Sequence, residues 1–153
     1  MILGYHHTGI ATVDLDPMLA FYRNLLGFAV VCEDRWAAGS ARHDMLTSLT
    51  GSAARFVVLR LGNAFLELFE YRSPTPRPND PDRPVCDAGL THIALAVDDI
   101  DGEVDRLSAA GVRFHCPPGP PGPLRATYGR DPEGNVFELM EFSTADHPFA
   151  YRP

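Results

Sequence analysis

Apolar and polar positions change their spacing several times along the chain, and each change marks an element. From Tyr5 the segment YHHTGIATV alternates, with His7, Gly9 and Ala11 on one side of a short strand. DLDPMLAFYRNLLGF then switches to helical spacing through Met18, Phe21, Tyr22, Leu25 and Leu26. Asp14 or Asp16 can cap that helix, Pro17 suits its first turn, and Gly27 suits the residue just past its end. FAVVCEDRW reads as a strand, and the small, polar, patternless stretch 36–54 reads as a loop. ARFVVLRLG and NAFLELFEY form two strands joined at Gly62-Asn63.

RSPTPRPNDPDRPVCDAG breaks the pattern, because prolines at that density forbid regular structure; residues 73–88 are therefore an extended linker. The order of elements then starts again. GLTHIALAV is a strand, and DDIDGEVDRLSAAG is an amphipathic helix closed by Gly111. VRFHC is a short strand. LRATYGRDPEGNVFELMEF is a hairpin whose DPEG turn uses Pro132 to preset φ and Gly134 to supply a positive one.

The chain repeats itself. HTGIATVDLD, from His7, aligns without a gap on HIALAVDDID, from His92, and GNAFLELFEY aligns on GNVFELMEF with one residue of slip. Each half reads strand, helix, then three strands. The expected modules are residues 1–72 and 89–143, followed by a tail at 144–153. At 153 residues the chain has room for two small modules sharing a core.

Composition narrows the function. A net charge of −7 without a basic stripe speaks against nucleic acid as a partner. No run of apolar residues is long enough to span a membrane. Cys32, Cys86 and Cys116 are scattered, as in reduced thiols of a cytoplasmic protein, and the first ten residues lack the basic and apolar regions of a signal peptide.

The repeat singles out His7, Glu67, His92 and Glu138. Glu67 shares its strand face with Phe65, Phe69 and Tyr71, and Glu138 shares its face with Val136, Met140 and Phe142. An unpaired carboxylate on an apolar face is costly, so each requires either open water or a positive partner. A single strand histidine is usually a structural residue, and a single strand glutamate is usually solvated. Their doubling at matched places argues instead for a shared task. The small residues beside each histidine leave room, and two imidazoles with two carboxylates make a good donor set for a divalent cation.

The motifs HHTGIAT, FYRNLLGF, FLELFEY, THIALAV and DPEGNVFEL together resemble the vicinal oxygen chelate superfamily, which includes glyoxalase I, methylmalonyl-CoA epimerase, extradiol dioxygenases, and fosfomycin and bleomycin resistance proteins. The resemblance runs from about Gly4 to Phe142. It implies an α+β fold of two pseudo-symmetric βαβββ modules forming a curved mixed sheet around a metal site. His7, Glu67, His92 and Glu138 fall on the ligand positions, and one divalent ion per site is implied, with Fe, Ni, Co, Mn and Zn all open. A homodimer is implied as well, with the four ligands drawn from one chain or from two.

For the reaction, the resemblance implies an epimerase, isomerase or lyase that moves a proton on a small oxygen-chelating carbonyl substrate. The alternatives are a non-haem Fe(II) dioxygenase and a metal-free drug-sequestering resistance protein. Glu67 or Glu138 is the candidate base, and Tyr128 is a candidate hydrogen-bond donor to substrate. Where glyoxalase I carries an Arg and an Asn for glutathione, this chain has Ala11 and Tyr71. His43 and Asp44 are expected in a solvated loop that can act as a lid, His6 is expected to face outward or pack, and Phe65, Phe69, Phe137 and Phe142 are expected in the core.

Overall fold

Two four-stranded mixed sheets carry the chain, and a computed structural model describes residues 1–152 of it. The chain divides into two compact units, Met1–Pro78 and Asn79–Pro153. The first holds β1 (His7–Thr12), α1 (Leu15–Ala20), β2 (Ala29–Trp36), α2 (Ala41–Thr47), β3 (Ala53–Leu61) and β4 (Ala64–Ser73). The second holds β5 (His92–Val97), α3 (Ile100–Ala109), β6 (Arg113–Phe114), β7 (Leu124–Arg130) and β8 (Val136–Phe142). The strand orders are β1-β4-β3-β2 and β5-β8-β7-β6, so the internal repeat is a repeat of topology. In each sheet the first strand lies parallel to the last and the remaining pairs are antiparallel. No helix among the described residues is long and apolar enough to cross a membrane.

Local chemistry explains most of these boundaries. Asp14 caps α1 by accepting from the Asp16 amide, and Asp99 caps α3 by accepting from the Gly102 amide. Beyond Ala20 the first helix continues as a widened turn, Phe21–Leu25, in which the Leu26 amide donates to Phe21 O at 3.1 Å. Gly27 then takes φ +79° and stops it. Leu15, Met18, Phe21 and Tyr22 are buried, as are Leu66 and Leu68 of β4 and Val57 and Leu59 of β3. The second unit packs the same way, with Ile100 and Leu107 of α3 buried along with Phe137 and Leu139 of β8. One face of each sheet is thus the core, and the face bearing Glu67 or Glu138 is the other, only half-buried one.

Two expectations change. Residues 41–47, expected in a loop, form α2, because Asp44 ties the segment down: its carboxylate accepts from the Gly51 and Ser52 amides at 2.8 and 2.7 Å and from Ser52 Oγ at 2.6 Å. Those bonds hold its carboxyl below the usual carboxylate range, with the Ser52 hydroxyl contributing most. In the proline-rich stretch, residues 79–88 belong to the second unit. The Arg83 amide donates to Asp80 O, Arg83 Nη2 donates to Asp87 O and Ala88 O, and Arg130 Nη2 donates to Arg83 O.

A second matched carboxylate anchors each helix. Glu70 Oε2 accepts from the Leu15 amide at 2.9 Å and from Arg55 Nη2 at 2.7 Å; Glu141 accepts from the Ile100 amide at 3.2 Å and from Arg125 at 3.3 Å. Arg55 also reaches Asp16, as Arg125 reaches Asp101. Both helix starts are therefore clamped to the last strand of their sheet. The Arg55 hydrogen bond draws the Glu70 carboxyl below its ordinary value, against the opposing effect of burial, with the Leu15 amide adding to it. A lowered folded-state value means that this contribution is complete above the unfolded carboxylate range near ~4.3 and is lost as pH falls through the folded value. Arg55→Ala is expected to cost about 1–2 kcal/mol at pH 7, the lower end because Arg55 is partly exposed. The gap from wild type should narrow as pH falls from the ordinary carboxylate range through the lowered Glu70 value, as read by denaturant titrations across pH.

Candidate metal-binding site

The half-buried sheet faces carry the site residues. In the first unit His7 pairs with Phe65, Gly9 with Glu67 and Ala11 with Phe69 across the parallel β1–β4 ladder. In the second, His92 pairs with Val136 and Ala94 with Glu138. The register sets each histidine diagonally next to its glutamate with only a small residue between. His7 Nε2 lies 3.4 Å from Glu67 Oε2, and His92 Nε2 lies 3.2 Å from Glu138 Oε2. The carboxylates are 19% and 14% exposed and the imidazoles 44% and 28%, so the acids sit back in the sheet and the rings stand at its surface.

This spacing suits a divalent ion. Two donors each about 2.1 Å from one cation, at angles between octahedral and tetrahedral, lie roughly 3.0–3.4 Å from each other. Among the described residues no three His, Cys, Asp or Glu side chains are grouped to hold an ion, so each unit offers a two-donor half-site.

The residue before each histidine controls its other nitrogen. Thr91 Oγ1 lies 2.9 Å from His92 Nδ1, and His6 Nδ1 lies 2.9 Å from His7 Nδ1. His6 itself is exposed and stacks on Phe65, with centroids 5.1 Å apart and an interplanar angle of 4°. If Nε2 is the ligating atom, Nδ1 carries the hydrogen, and these neighbours accept it and fix the ring. Thr91→Val should therefore weaken Mn(II) or Co(II) binding roughly 10- to 100-fold while leaving His92 in place. A chelator competition reads the change, and unchanged affinity would remove Thr91 from this role.

Tyr128 lies directly across from Glu138 in the β7–β8 ladder, with its ring 4.9 Å from that of His92. His115 also stands beside it, 5.9 Å away and nearly perpendicular. Arg130 Nε donates to His115 Nε2 at 3.0 Å. Burial, then the charges of Arg130 and Arg113, push the His115 imidazole down and keep it neutral. Sequence reasoning attached no role to His115, since nothing in VRFHC indicates that its side chain meets Tyr128.

Three expectations shift here. His43 is not a solvated loop residue: it is half-buried in α2 and stacks on Trp36, with centroids 4.5 Å apart. Of the four phenylalanines expected in the core, Phe137 is fully buried, whereas Phe65, Phe69 and Phe142 lie half-buried on the site faces. Parity explains the split, since residues two apart from Glu67 or Glu138 must share its face. Tyr71 was expected on the Glu67 face, at the place of an asparagine in glyoxalase I, with no role attached. Burial and then the Glu67 charge push its phenol up, so it stays protonated on the same face as that carboxylate.

A sequence profile of the Glyoxalase/Bleomycin resistance protein/Dioxygenase superfamily matches residues 4–139. The uncharacterised protein YaeR of Escherichia coli is 33% identical over 138 residues, covering 89% of this chain and 94% of that one. A glyoxalase family protein of Bacillus cereus shares the fold with a TM-score of 0.84 at 21% identity, over 93% of this chain and 95% of that one. The fosfomycin resistance protein FosX of Listeria monocytogenes, in a structure complexed with Mn(II) and sulfate, has a TM-score of 0.60 at 20% identity, over 95% and 98% of the two chains.

Proposed function

Since the chain belongs to the glyoxalase/bleomycin resistance protein/dioxygenase superfamily, we propose that it is a divalent-metal-dependent isomerase, epimerase or lyase that moves a proton on a small oxygen-chelating carbonyl compound. The observation that carries this reading is the matched pairing of His7 with Glu67 and of His92 with Glu138 at ligand spacing. His7, Glu67, His92 and Glu138 are the residues that would hold the ion. A bound divalent ion polarises a carbonyl and so acidifies the neighbouring C–H.

The chain's own residues supply the rest. Glu67 or Glu138 accepts the proton from the carbon beside the carbonyl and returns it, to the other face in an epimerase or to the neighbouring atom in an isomerase. The Tyr128 hydroxyl, on the Glu138 face, donates a hydrogen bond to the oxygen that gains charge. Two imidazoles and two carboxylates would give the ion one more protein donor than the two-histidine, one-carboxylate set of non-haem iron oxygenases, which favours proton transfer over oxygen activation.

The test is exchange of the proton next to the carbonyl of 2-oxo acids in D2O, followed by NMR, with protein loaded with Mn(II), Co(II), Ni(II), Zn(II) or Fe(II) in turn. Exchange that depends on the ion supports the reading. Oxygen uptake with catechols after anaerobic Fe(II) loading would replace it with a dioxygenase, and failure to retain any ion would replace it with sequestration. Tyr128→Phe is expected to slow exchange about 100-fold while leaving metal content unchanged, as measured by initial rates beside elemental analysis.

A further inference from the structure

The two half-sites are alike in their donors and unlike in their surroundings. On the first unit's site face, Phe56 pairs with Phe69 and Ala54 with both Tyr71 and Trp36, so four rings gather next to Glu67. Trp36 lies 6.1 Å from Phe56, 6.3 Å from Phe69 and 5.8 Å from Tyr71, and Phe56 lies 5.6 Å from Phe69. All four rings are half-buried rather than sealed in the core. In the second unit, the positions flanking Glu138 and Tyr128 are Ala94, Ala96, Ala126, Met140, Val136 and Arg130, none of them aromatic.

The aromatic surface is fixed in place. Trp36 Nε1 donates to Ser52 Oγ at 3.0 Å, Ser52 Oγ donates to Asp44, and His43 stacks over the indole from α2. In front of it, Gly9 leaves space: a Cβ there would meet only Phe69 Cε2, at 3.7 Å. Rigid rings with unspent area next to a polar pair are what a flat apolar group requires for orientation. The nearby carboxylates Glu67 and Asp34 disfavour a substrate tail that carries further negative charge.

We infer that the face formed by Trp36, Phe56, Phe69 and Tyr71 holds a flat aromatic or conjugated ring of the substrate, whose oxygens reach the His7–Glu67 pair. This substrate class rests on the proposed metal-dependent proton transfer. Gly9 sets the access, and the Tyr71 hydroxyl is placed to donate to a substituent on that ring.

The probes are phenylpyruvate and pyruvate, which share their chelating oxygens and differ by the ring. Binding is measured on Mn(II)-loaded protein by calorimetry and by the ¹⁹F signal of 5-fluorotryptophan at Trp36, the chain's single tryptophan. Phenylpyruvate is expected to bind roughly 10- to 100-fold more tightly than pyruvate and to move the Trp36 signal. Gly9→Leu, which fills the space without backbone strain, should bring the ratio near one when the two proteins are compared at matched Mn(II) loading. Phe69→Leu, which removes one ring from this face and keeps an apolar side chain there, should lower the ratio by a smaller factor.

Equal binding of the two acids overturns the inference, as does a preference that survives both substitutions. Benzyl alcohol and propanol, titrated into metal-free protein, read the aromatic face alone. Ring preference there without metal retention would sink the proposed reaction and leave the aromatic subsite standing.

Discussion

His92→Ala is expected to strip the chain of its divalent ion and to abolish metal-dependent exchange. His92 is the less exposed of the two imidazoles, its Nε2 stands 3.2 Å from Glu138, and Thr91 orients it. A metal site bound by about 10–16 kcal/mol loses several kcal/mol with any one of its donors, so affinity should fall at least about 100-fold. Elemental analysis of protein purified without chelator, beside a Mn(II) titration, gives the answer. Because His92 lies on the half-buried face and away from the α3 core, the melting temperature of the metal-free protein should change little. Metal content equal to that of wild type would remove His92 from the ligand set and take the reaction with it.

Gly134→Ala is expected to destabilise the second unit by about 3 kcal/mol or more. Gly134 sits at φ +84°, which costs an alanine about 1–2 kcal/mol. An added Cβ would also collide with Pro81 Cα and stand 2.6 Å from Pro81 O, both main-chain atoms without a flexible end to yield. Around this turn, Asp131 accepts from the Glu133 and Asn135 amides at 3.0 and 2.9 Å, and Arg130 donates to Gly134 O at 2.8 Å. The turn starts β8, and β8 carries Glu138. Thermal unfolding should show the loss, and weaker Mn(II) binding should accompany it as the strand shifts. A melting temperature within a degree of wild type would mean that neither the backbone conformation at Gly134 nor its contact with Pro81 limits the turn.

Much of the fold is legible in the chain because the relevant forces are local. Asp14 and Asp99 cap, Gly27 terminates, Gly62 turns at φ +54°, and period-two alternation marks the first and last strand of each unit. His7, Glu67, His92 and Glu138 emerge from the repeat, since a duplicated chain repeats its chemistry as well as its pattern. The helix at 41–47 escapes such reading: ARHDMLT has weak periodicity, and Asp44 finds its partners only at Gly51 and Ser52. The anchors Glu70 and Glu141 were within reach, because FLELFEY and FELMEF both place a second glutamate three residues after the first. What each anchors could not be read, as its helix lies 55 or 41 residues earlier in the chain.

By itself the sequence determined the two modules, their strand-helix-strand order, and a histidine and a glutamate in each. Backbone geometry and side-chain parity act over a few residues, and those are written directly in the amino-acid order. Tertiary structure decided which face of each sheet stays open, which nitrogen of His7 and His92 meets the carboxylate, and that the rings of Trp36, Phe56, Phe69 and Tyr71 gather on one unit alone. These depend on register between strands that are distant in the chain, and a slip of a single residue would send every one of those side chains to the opposite face.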